Sequence, residues 1–89
     1  YETAEVGYIV ALRELETWRV GRVICFACDA GVSYAAVVPF RCTEKRQWHS
    51  FWVAEATPIL VDLADFKENL IHSETAGGLC VLHPLSLLS

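Results

Sequence analysis

Two long β-rich runs, Trp18–Cys28 and Val32–Cys42, flank the tripeptide Asp29-Ala30-Gly31 near the middle of this 89-residue chain. Glycine accepts the left-handed backbone at low cost, so a three-residue loop ending in Gly31 predicts a hairpin. If that loop sets the register, Cys28 lies opposite Val32, Phe26 opposite Tyr34 and Ile24 opposite Ala36. Arg22 then faces Val38, Val20 faces Phe40 and Trp18 faces Cys42, all on one side of the pleat. The other side carries Arg19, Gly21, Val23, Cys25 and Ala27 against Ser33, Ala35, Val37, Pro39 and Arg41. The first face is bulky and the second small and smooth, so both want cover. A bulge that shifts part of this register is expected at Gly21.

The flanking segments add elements to this hairpin. Val6–Leu12 alternates Val6, Tyr8, Val10 and Leu12 against Gly7, Ile9 and Ala11, which reads as a strand, and the charged Arg13–Thr17 connects it onward. Thr43–Gln47 is a polar turn, and Trp48–Glu55 alternates again as a strand. Thr57 and Pro58 offer an N-cap followed by a proline at the first helical position. Ile59, Leu60, Leu63, Ala64, Phe66, Leu70 and Ile71 then recur at helical spacing, with Val61 alone out of place. The spacing predicts one helix over 58–72. A competing reading makes Pro58–Leu63 a strand, with Asp65 and Glu68 boxing a shorter helix. Gly77-Gly78 breaks the chain, Leu79–Leu82 is a candidate last strand, and the apolar tail Pro84–Ser89 is expected to dock.

The expected fold is therefore α+β and a single domain over 1–89. A bent antiparallel sheet of four to five strands (6–12, 18–28, 32–42, 48–55, with 79–82 as the fifth) carries one helix (58–72).

Composition turns the two-faced hairpin into an expectation about assembly. The chain is 54% hydrophobic, with three Trp, three Tyr and four Phe. A domain this small buries roughly two-thirds or less of its unfolded surface, so a monomer leaves apolar surface wet. A homo-oligomer, dimer or tetramer, is expected through the smooth face or the tail. No apolar run approaches the roughly 18 residues of a membrane helix, so no membrane association is expected. No basic segment followed by a long apolar stretch lies near Tyr1; with no Met at the start, a removed leader stays open. Cys25, Cys28, Cys42 and Cys80 read as free thiols among core-forming residues rather than a disulfide framework, which implies a cytoplasmic home.

The chemistry-bearing motifs are sparse. Cys25-Phe26-Ala27-Cys28 has redox and zinc spacing, but on a strand residues three apart point to opposite faces, and no second pair accompanies them. His49, His72 and His83 show no metal-binding spacing. Glu14/Glu16 and Asp62/Asp65/Glu68 read as solvated charges. No metal, cofactor or catalytic residue is expected.

Charge gives a sharper lead. Every basic residue except Lys67 lies between Arg13 and Arg46. In the expected register Arg19 opposes Arg41, and like charges so placed repel. Something acidic must separate them: Glu14, Glu16 or Glu44 in the favoured reading, otherwise a partner subunit or an anionic ligand. Arg22 is the one charge on the bulky face. With Trp18, Tyr34, Trp48 and Trp52, the arginines Arg19, Arg22 and Arg41 form a candidate aromatic and cationic pocket. The net charge of −4 and the lack of an RNP-type motif argue against nucleic acid.

Gly7-Tyr8-Ile9-Val10 followed by Ala35-Ala36-Val37-Val38-Pro39 resembles the small barrels of plasmid-maintenance ribonuclease toxins. The Arg-Pro pair of that family's second strand has no counterpart after Trp18, and no acid or Thr/Ser after Pro39 matches that family's catalytic position convincingly. The leading expectation is a non-enzymatic, oligomeric binding or regulatory module with a pocket for a small anionic ligand. The alternative is a small-barrel enzyme such as a toxin-type ribonuclease.

Overall fold

The central hairpin forms, but with a tighter turn than the sequence implied. The computed structural model describes residues 5–55 and 57–84. In it β1 (Ile9–Glu14) leads to β2 (Thr17–Asp29) and β3 (Val32–Lys45), and Asp29 pairs directly with Val32. Only Ala30 and Gly31 turn the chain, both at positive φ (51° and 80°). This is the left-handed pair that suits the twist of a two-residue hairpin. The expected pairing is therefore off by one near the tip: Phe26 opposes Ala35 and Cys28 opposes Ser33. A bulge between Val23 and Cys25, rather than at Gly21, absorbs the extra residue. Beyond it the expected partners return, with Arg22 opposite Val38.

The remaining strands are β4 (His49–Ala54), β5 (Ile59–Asp62), β6 (Phe66–Asn69), β7 (His72–Thr75) and β8 (Gly78–Leu82). Along the sheet they run β6-β1-β2-β3-β4-β8-β7, with β5 beside β3 off that path. All pairings are antiparallel. The sheet curls into a half-barrel whose two end strands are consecutive in the chain. Leu70 N–H donates to the Ile9 carbonyl at 2.9 Å and Leu82 N–H to the Ile71 carbonyl at 3.0 Å. One segment thus ties β1 at one end of the curl to β8 at the other.

This architecture corrects the expected α+β class: among the described residues there is no α-helix, and the expected sheet of four to five strands is larger. The segment read as a helix over 58–72 is β5, a short 3₁₀ turn (Leu63–Asp65), β6 and the start of β7. Asp62 caps the turn by accepting from Ala64 N–H at 2.8 Å. Strand pairing wins here because the outer edges of β1 and β3 would otherwise present unpaired backbone groups. β5 covers Tyr34–Val37 of β3, and β6 covers Val10–Leu12 of β1. Val61, the misfit of the helical stripe, packs against the core, whereas Leu60 and Ile71 of that stripe are both 73% exposed. The strand half of the competing reading matches β5; its helix half does not.

Both hairpin faces are covered within the chain over much of their length. Ile9, Ala11, Val20, Phe40, Trp52, Leu70, Leu79 and Val81 pack together inside the curl. On the opposite face, Val10, Leu12 and Phe66 cover Val23, Ala35 and Val37. Burying each such Val, Leu or Ile side chain contributes roughly 1.5–3 kcal/mol. Alternate residues of β1 feed the two clusters, so all of Ile9–Leu12 is buried. The smooth face expected between subunits is thus largely taken up by β1 and β6. The tail from Leu85 to Ser89 lies outside the described residues.

Candidate functional site

Inward-facing positions alternate along each strand, so the curl has a stack of side chains with two ends. At one end β2 contributes Trp18, β4 contributes Ser50 and Trp52, and His83 follows β8. Trp18 and Trp52 rings lie 5.7 Å apart, and Trp18 meets His83 edge-on at 5.9 Å. Trp52 Nε1 donates to Ser50 Oγ at 2.6 Å, and His83 Nε2 lies 3.0 Å from the same oxygen. His83 Nδ1 is 3.3 Å from the Gln47 carbonyl, so this nitrogen carries the proton and Nε2 accepts from the Ser50 hydroxyl. Ser50 is fully buried and His83 only 5% exposed. Burial holds the His83 imidazole below its ordinary pKa, the Gln47 carbonyl partly offsets this, and Lys45 and His49 add to the depression. Every partner is satisfied and no solvent reaches Ser50, so this Ser–His contact closes a core rather than forming a nucleophile.

The other end is open. Two inward turns of alternation from Trp18, β2 presents Arg22, whose Nη2 donates to Glu74 Oε1 on β7 at 2.8 Å. Below this ion pair runs a groove of about 350 Å³, walled by Val38, Phe40, Ala54 and Leu79 and bounded by Thr75, Gly77 and Gly78. The Arg22 hydrogen bond, followed by its charge, holds the Glu74 carboxyl below the usual carboxylate range. Gly78 lines the groove where β8 approaches β4 closely: a Cβ there would overlap the Trp52 carbonyl, so only glycine lets the two strands lie this close.

The candidate residues of the sequence do not gather into one pocket. Trp18 and Trp52 belong to the closed end. Arg19 donates through Nε to the Phe40 carbonyl at 3.0 Å and pairs with Glu14 and Glu55. It does not oppose Arg41, because the β2–β3 ladder stops at Gly21 and Pro39; Arg41 is exposed and opposes Val53 of β4. Trp48 is 56% exposed in the β3–β4 connection, and Tyr34 sits beside Phe26 and Leu63 in a separate recess at the hairpin tip. Arg22 alone reaches the groove. Sequence reasoning missed Glu74, Phe40 and Gly78 as its companions. The available signal was the pair of short segments flanking Gly77-Gly78, which reads equally well as a hairpin.

All four cysteines are free, and Cys25 and Cys28 oppose Ala36 and Ser33 on opposite faces of the sheet. Among the described residues no His, Cys, Asp or Glu side chains converge as a metal site. No helix among them is long and apolar enough to cross a membrane. No protein-family model, no curated protein and no solved structure matches the chain.

Proposed function

We propose that the protein is a small, self-associating binding module that takes an anionic ligand at the open end of the half-barrel. One observation carries the reading: Arg22 projects into a groove with apolar walls, and among the described residues it meets one exposed carboxylate there, that of Glu74. A guanidinium over an apolar floor is the usual means of orienting a small acid. Self-association is supported by the apolar side chains the fold leaves wet, among them Ile24, Phe26 and Leu60. Four unpaired thiols, three of them exposed, favour a reducing, cytoplasmic setting.

The test is calorimetric titration with inorganic phosphate, a nucleoside monophosphate, acetate and benzoate, on the wild type and Arg22→Gln. At least one anion binds the wild type and fails to bind Arg22→Gln. Silence from every anion, or binding indifferent to the substitution, overturns the reading.

A second reading is a small-barrel ribonuclease. What favours it is the Arg22 guanidinium and Glu74 carboxylate 2.8 Å apart in one open groove. Such a pair can stabilise a phosphate and take a hydroxyl proton. Cleavage of a mixed-sequence RNA, lost in Glu74→Gln, would establish it, and intact RNA removes it.

A further inference from the structure

We propose that the groove recognises a small monocarboxylate with an apolar body, and that Glu74 is its resident competitor; the inference rests on the binding reading above. Glu74 already shows which chemistry Arg22 accepts, since a carboxylate oxygen sits 2.8 Å from Nη2 at the rim of the groove. The contact is a single hydrogen bond. A free carboxylate can meet the guanidinium fork with both oxygens, the stronger arrangement.

Charge selects within the anions. Among the described residues that line the groove, Arg22 is the only cation and Glu74 the only anion. Once Glu74 turns away, one positive charge is uncompensated, which a monoanion neutralises. A phosphate dianion would bring a second negative charge next to Glu74, with no second Lys or Arg among the described lining residues to meet it. The walls Val38, Phe40, Ala54 and Leu79 ask for an apolar body, and about 350 Å³ admits one the size of an aromatic ring. Acetate fills little of that space.

Displacement is easy. Glu74 stands on β7, which ends the sheet path and, among the described residues, ladders only to β8. Its side chain is 66% exposed. Ion pairs this exposed contribute little net stability, so exchanging Glu74 for a ligand carboxylate costs little.

Benzoate, acetate and inorganic phosphate are titrated by calorimetry into the wild type, Glu74→Gln and Arg22→Gln, with circular dichroism confirming that each variant is folded. The expected result is that benzoate binds more tightly than acetate or phosphate. Glu74→Gln tightens benzoate several-fold by removing the competitor, and Arg22→Gln abolishes it. Unchanged or weaker benzoate binding in Glu74→Gln overturns the inference, as does a preference for phosphate. Arg22-dependent phosphate binding would leave the binding reading standing while this one falls. If no anion binds any variant, both fall.

Discussion

His83 Nε2 faces Ser50 Oγ at 3.0 Å inside the closed end of the half-barrel, and the arrangement holds only while the imidazole is neutral. Trp52 already donates to that oxygen, so the Ser50 hydroxyl proton points at His83. Protonating Nε2 turns an acceptor into a donor and leaves that hydroxyl proton without its acceptor. Because His83 lies below its ordinary value of 6.5, the unfolded chain takes up its proton first. The stability this confers is complete above 6.5 and is lost as the pH falls from there through the lower folded value. Urea midpoints should therefore decline across that window. His83→Gln should flatten the decline, and an unchanged slope would refute the assignment.

Ser50→Ala isolates the same network at neutral pH. The substitution removes the acceptor of Trp52 Nε1–H and the donor to His83 Nε2 in a site without solvent. A buried polar group left unpaired costs about 1–3 kcal/mol, so the loss should exceed that of an ordinary surface substitution. Urea unfolding measures it, and a neutral result would mean these hydrogen bonds do not form.

Adjacent glycines should respond unequally. A Cβ at Gly78 meets the Trp52 carbonyl, a backbone atom that cannot rotate away, whereas one at Gly77 meets nothing within 4 Å. Gly78→Ala should therefore lower Tm far more than Gly77→Ala. Equal effects would contradict the close approach of β8 to β4.

Ala30 occupies a left-handed position, φ 51°, ahead of Gly31 in the central turn. Asn-Gly is the preferred pair for such a two-residue hairpin, and alanine there stores backbone strain. Ala30→Asn should stabilise the fold by about 1 kcal/mol or less, visible as a raised denaturation midpoint. A lowered midpoint would argue against this turn geometry.

The strands that alternate cleanly between Trp18 and Ala54 were legible because each local pattern agreed with its final environment. Arg22 could be singled out for the same reason, as the lone charge on an apolar face. The segment from Ile59 to Ile71 was not legible as strands. Its apolar residues recur at helical spacing by coincidence of three short strands, and what decides the matter is the unpaired edges of β1 and β3, which are distant in sequence. Glu74 escaped for a related reason. It lies 52 residues from Arg22, and only the curl that joins β6 to β7 brings them together.

The two-faced hairpin still leaves a residue of unmet apolar surface near its tip, and this sets the last prediction. Ile24 is 41% exposed, Phe26 42% and, on the neighbouring β5, Leu60 73%. Cys25, Ala36 and Leu60 form one cross-strand row, so Leu60 stands beside two small side chains, open to close approach by a partner. A second copy would offer the same surface and bury both at once, as a two-fold interface requires. Sedimentation of the wild type at micromolar concentration should show a species of at least twice the monomer mass. Leu60→Ser combined with Ile24→Ser should shift it to monomer without loss of the circular dichroism signal, because both side chains are already exposed. A wild type that sediments as a monomer would sink the assembly claim. An oligomer indifferent to both substitutions would place the interface on another face.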